Sequence, residues 1–198
     1  MDSLSVSGRD LATIQTFKTI NVDAFGTKLS YLDSGAPVGT GPYETIFIVH
    51  GIIFTNGMKS SFALLYIILT SSAASFQKVL ELTPTSGLRI VAINRRDYPH
   101  SSPFSPAELE TMATGSDADK ATFLSSGGLE IMTFIDEFIQ QHNLPPISGD
   151  GKTGGVALAG WSLGNIVICA AISSAERLSS DVKFRLAKYL RALILQGT

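Results

Sequence analysis

Residues 154–165 read Gly-Gly-Val-Ala-Leu-Ala-Gly-Trp-Ser-Leu-Gly-Asn, and their centre, Gly160-Trp161-Ser162-Leu163-Gly164, is a G-x-S-x-G pentapeptide. The apolar run Val156-Ala157-Leu158-Ala159 before it predicts a strand, and the run from Asn165 to Ala175 after it predicts a helix. Strand, tight turn and helix are the setting that gives this pentapeptide a chemical meaning. A turn that sharp strains the backbone of Ser162, so Gly160 and Gly164 are needed as small residues on either side of it. The Ser162 hydroxyl is then presented at the carboxyl end of a strand, beside the amino end of a helix. Such a serine needs a base to act as a nucleophile, yet no residue after Ser162 is a histidine.

Working outward, residues 13–20 and 27–33 alternate in the strand manner around turn chemistry at 21–26, which predicts a hairpin. Residues 45–49 (TIFIV) and 88–93 (LRIVAI) are short apolar runs of the kind buried on both faces of a sheet. His50-Gly51 closes the first and Asn94-Arg95-Arg96-Asp97 the second, followed by a Ser/Pro-rich loop to Pro106. Residues 58–82 predict helix in two pieces. Residues 117–142 predict one long helix, with Asp117 as its cap, Gly127-Gly128 as a kink or break, and Asn143-Leu144-Pro145-Pro146 as its stop. After the elbow come helices over 163–176 and 181–190 and a strand over 191–196. Strands alternating with helices after a leading hairpin give an α/β class: a mostly parallel sheet, helices on both faces, and an N-terminal antiparallel pair. One domain spanning 1–198 is expected.

Composition narrows the function classes. Hydrophobic residues make up 44% and charged residues 16% of the 198, with net charge −2. The balance argues against a nucleic-acid partner. The single cysteine, Cys169, excludes an internal disulfide and a zinc spacing, and it is expected as a buried packing thiol. The amino terminus lacks a secretory leader pattern, and the longest apolar run, 62–69, is too short to span a membrane. A soluble, cytoplasmic protein is the expectation. Gly151-Lys152-Thr153 fails as a phosphate loop, because it precedes a strand and lacks the earlier glycine. No cofactor or metal is implied.

The hairpin, the strand ending in His50-Gly51, the NRRDYPHSSPFS loop, the long helix, the GWSLGN elbow and the LRALILQG strand together resemble the α/β-hydrolase fold, most nearly its fungal-type serine hydrolases. The resemblance implies hydrolysis of a small-molecule ester or amide. It assigns Ser162 as nucleophile and the backbone N–H of Leu163 as one oxyanion donor. The second donor is the N–H of Ile52, just past His50-Gly51, with His50 structural and holding that loop. Two such donors stabilise a tetrahedral intermediate by about 3–4 kcal/mol each. In the family the acid and histidine follow the serine. Here only Glu176 and Asp181 follow it among acids, both on or between helices, so the domain is expected to be incomplete at its C-terminus. The alternatives are a non-catalytic binding protein that keeps the fold, and a truncated inactive product. His100 is expected as an exposed loop residue, His142 as a helix-end cation, and Asp97 as a partner of loop backbone. Trp161 either lines a pocket or packs behind the elbow. Residues 52–87 exceed what the related fold uses, and the stretch 59–76 within them has almost no charge, so it reads as a covered helix or an unspliced or mispredicted segment.

Overall fold

The computed structural model describes residues 16–39, 41–51, 73–83 and 86–197. In chain order the elements are β1 (Lys18–Asn21), β2 (Lys28–Asp33), β3 (Glu44–Val49), a 3-10 turn (Ala73–Phe76) running into α1 (Gln77–Leu82), and β4 (Leu88–Asn94). Then follow α2 (Pro106–Thr114), α3 (Asp117–His142), β5 (Val156–Trp161), α4 (Gly164–Ser173), α5 (Ser180–Leu186) and β6 (Leu190–Gln196). The six strands form one sheet in the order β1-β2-β4-β3-β5-β6. β1, β2 and β4 pair antiparallel, while β4, β3, β5 and β6 run parallel. Ile52 and most of the stretch 59–76 lie outside the described residues.

The strand period of two sorts the core into two layers. Phe47, Val49, Val91, Ile93, Val156 and Leu158 face α3 and α4, and Leu186 of α5 joins this cluster. Leu32, Ile90 and Ala92 face the other way, where Ala73 and Leu80 cover them and Ile46 and Ile48 stay partly buried. Tyr31 and Phe47 meet Phe138 of α3 edge-on, with ring centroids 5.4 and 5.3 Å apart. Each such pair contributes about 0.5–1.5 kcal/mol beyond its buried area. β6 is the outer strand, and its Leu193, Ile194 and Leu195 are exposed.

Three local expectations are corrected. α3 is capped by Ser116, not Asp117: the Ser116 side chain accepts from the Asp119 N–H and Asp119 returns the bond, a reciprocal cap. α2 was not foreseen, although Ser105-Pro106-Ala107-Glu108 carries the same cap, with proline in the first turn. α3 also runs unbroken through Gly127-Gly128. Gly128 is small because α4 crosses there: a Cβ at Gly128 would lie 2.5 Å from Ala171 N and 2.6 Å from the Ala170 carbonyl carbon. A Cβ at Gly127 would meet nothing within 4 Å. The neighbouring glycines should therefore respond with opposite signs. Gly127→Ala is expected to stabilise by about 0.5–1 kcal/mol through helix propensity, and Gly128→Ala to destabilise by about 2 kcal/mol through overpacking. Urea denaturation of the two variants checks this, and equal effects would contradict the close crossing.

Candidate active site

Ser162 sits where the sequence placed it, at the junction between β5 and α4. Its backbone is left-handed, with φ 53°, a conformation that costs a non-glycine residue about 1 kcal/mol or more. Close packing on both sides holds it there. A Cβ at Gly160 would lie 2.7 Å from both the N and the Oδ1 of Asn165, and one at Gly164 would lie 2.1 Å from Val49 O. The Ser162 N–H donates to Gln196 O at 3.0 Å, and Asn165 Nδ2 donates to the same oxygen at 3.0 Å, so the end of β6 is tied to the turn. Among the described residues neither the Ser162 hydroxyl nor the Leu163 N–H makes a hydrogen bond.

β3 and β5 are parallel neighbours, with Val49 opposite Gly160, so the His50-Gly51 loop emerges beside the elbow. The two touch: a Cβ at Gly51 would lie 2.9 Å from Ser162 Cβ and from Trp161 O, and 3.4 Å from Leu163 N. The Gly51 carbonyl is held by His50 Nδ1 at 2.8 Å and by Arg95 Nη2, which donates to it at 3.2 Å. Facing a carbonyl, Nδ1 carries the proton; the buried Nε2 is then bare and has no partner. His50 is 2% exposed and lies edge-on to Tyr98, with centroids 4.1 Å apart. Burial, helped by the charge of Arg95, lowers its pKa to about 3. It is thus a neutral loop-holding residue rather than a base.

That neutrality has a stability consequence. The unfolded chain binds a proton at this imidazole below about pH 6.5 and the folded chain does not until about pH 3. The contribution is therefore fully present above the unfolded value and is lost as pH falls, at up to about 1.4 kcal/mol per pH unit. His50→Asn should be less stable than the parent at neutral pH, and the gap should shrink as pH falls towards 4.5. A gap that stays constant in urea denaturation at each pH would refute the buried neutral imidazole.

The other two histidines are not brought to Ser162. His100 is exposed in the loop after β4, has φ 68°, and its ring lies tilted against Phe17 with centroids 5.0 Å apart. His142 lies at the opposite, amino edge of β4, receiving a bond from Arg89 Nη2 at 3.1 Å and packing on Phe138. Of the two acids after the elbow, Glu176 pairs with Lys183 at 3.1 Å, and Asp181 sits in the first turn of α5. Asp97 accepts from the Phe104 N–H at 2.9 Å, as expected of a loop-bonding residue. Trp161 is 45% exposed, so it does not pack behind the turn. Cys169 is exposed, contrary to expectation, because it lies on the side of α4 turned away from α3. Among the described residues no group of His, Cys, Asp or Glu could hold a metal ion, and no helix is long and apolar enough to cross a membrane. Arg95 and Asn165 are the contacts that sequence reasoning missed. Arg95 read only as half of a basic pair, and Asn165 as the first residue of a helix.

No family model matches the sequence, and no curated protein matches it. Solved structures do. The haloalkane dehalogenase DpaA from Paraglaciecola agarilytica NO2 is 10% identical, with TM-score 0.51 over 93% of this chain and 44% of that one. A thioesterase domain from the curacin biosynthetic pathway is 19% identical, with TM-score 0.48 over 91% of this chain and 45% of its own. The esterase EaEST from Exiguobacterium antarcticum is 20% identical, with TM-score 0.41 over 92% and 44%. The chain thus spans less than half the length of the structures it matches. At these identities the shared feature is the fold: a six-stranded, mostly parallel sheet with a serine turn between β5 and α4 is a partial α/β-hydrolase fold.

Proposed function

We propose that the protein is a serine hydrolase of the ester or amide type, with Ser162 as its nucleophile. The observation that carries this reading is the left-handed Ser162 backbone, wedged between β3 and β6 by Gly51, Gly160 and Gly164. A strained serine whose hydroxyl has no partner among the described residues costs stability, and a chemical role accounts for it. In this reading Ser162 attacks a carbonyl carbon at the carboxyl edge of the sheet, where open α/β sheets bind ligands. The Leu163 N–H faces the developing oxyanion. The Ile52 N–H, which follows the Gly51 carbonyl held by His50 and Arg95, is the second donor in this reading. The base that takes the serine proton is not one of the three histidines.

The engagement of His50 with Gly51, of His100 with Phe17 and of His142 with Arg89 favours a second reading, a binding protein that keeps the fold and does no chemistry. Supplying the base from solution separates the two. With a p-nitrophenyl ester and added imidazole, intact-mass spectrometry should find one acyl group on the chain, mapped to Ser162 and absent from Ser162→Ala. Acylation elsewhere, or none, would favour the binding protein.

A further inference from the structure

Beside this site lies a cavity of about 80 Å³, between α3 and the loop that follows β4. Leu29, Phe123, Ile131 and Val167 give it apolar walls, and Arg95, Arg96, Glu108 and Glu130 close its polar end. The charges there do not cancel in pairs. Both carboxylates bond to Arg96: Glu108 through a two-pronged contact that includes Nη2 to Oε2 at 2.9 Å, and Glu130 at 3.4 Å. Arg95 has no carboxylate among the described residues. Its Nη2 donates to Gly51 O at 3.2 Å and to the Tyr98 hydroxyl at 3.4 Å, and its buried Nε has no partner. A largely buried guanidinium without a counter-ion is costly, and an anion placed against it recovers much of that cost.

We propose that this cavity binds a short-chain monocarboxylate, with its alkyl chain against Leu29, Phe123, Ile131 and Val167 and its carboxylate on Arg95. The volume sets the chain length, since an apolar cavity of about 150 Å³ accommodates benzene and this one holds about three or four carbons. Among the described residues lining the cavity, Glu130 is the carboxylate that most opposes the anion, since it makes one contact to Arg96 where Glu108 makes two. Burial pushes its carboxyl up to about 7, against the pull of Arg96 and with a small push from Glu108 and Asp23. The ligand therefore binds more tightly as pH falls through about 7 and Glu130 takes up a proton. The proposal does not depend on Ser162 being a nucleophile.

The test is a titration of the chain with butanoate, followed by the backbone amide resonances. Saturable shifts are expected at residues 95–96 and along 123–131. Arg95→Met should weaken binding about tenfold or more, and butan-1-ol should bind the parent correspondingly weakly, as expected for loss of a charge-assisted contact. Gly127 lines the cavity and a Cβ there meets nothing within 4 Å. Gly127→Leu should therefore fill the space on an intact fold and abolish binding, which keeps the test valid if Arg95→Met fails to fold. Glu130→Gln should remove the pH dependence. Absence of saturable shifts in the parent would overturn the proposal. So would butan-1-ol binding as tightly as butanoate, or Gly127→Leu binding as the parent does.

Discussion

Gly164→Ala is expected to destabilise the chain by about 3 kcal/mol, at the upper end of what overpacking usually costs. The added methyl would sit 2.1 Å from the Val49 carbonyl oxygen and 3.0 Å from that of His50. Neither is the end of a flexible side chain. Both belong to the backbone at the end of β3, which is paired on one side with β4 and on the other with β5, so it cannot withdraw without breaking ladder hydrogen bonds. Gly149→Ala is the control, since a Cβ there meets nothing within 4 Å, and it should change stability by less than about 0.5 kcal/mol. Urea denaturation decides. If the two variants are equally stable, the elbow is not held by β3.

The second large effect is on rate. These 198 residues should hydrolyse an activated aryl ester no faster than their Ser162→Ala variant does. In a comparable enzyme, losing the histidine of the triad costs about a millionfold in turnover. Here each histidine has a structural placement: His50 sealed against Gly51, His100 on Phe17, and His142 on Arg89 at the far edge of the sheet. A large Ser162-dependent rate in the absence of imidazole would contradict this. His100 would then be the first residue to mutate, because it is exposed in a loop at the carboxyl edge of β4 and its ring contacts only Phe17 among the described aromatic rings.

Strand positions and the elbow were legible because their signals are local. Alternation in β2, apolar runs in β3 and β4, and two glycines flanking a serine each need only a few residues to be read. The limits of α3 were legible as well, since apolar spacing and Asn143-Leu144-Pro145-Pro146 mark them. What escaped depends on partners distant in sequence. Gly128 looked like a helix breaker because nothing near it announces that α4 crosses there. Cys169 was placed inside because α4 is apolar nearly all round, so its sequence does not say which side meets α3. Arg95 and Arg96 are adjacent and identical in type, yet one is paired with two carboxylates on α2 and α3 and the other holds the Gly51 carbonyl. Helix α2 is the exception: its Ser105-Pro106-Ala107-Glu108 cap is a local signal, yet the prolines around it read as loop.

The contact between Gly164 and the Val49 carbonyl also bears on how the turn comes into being. Within 154–175 only part of the confinement of Ser162 is present, such as Gly160 against Asn165; the rest comes from β3, more than a hundred residues earlier, and from the end of β6. A peptide of that span should relax Ser162 to an ordinary backbone. During folding, the serine takes its left-handed posture only once β3 and β5 have aligned side by side, so the turn is completed after the central sheet and not before it.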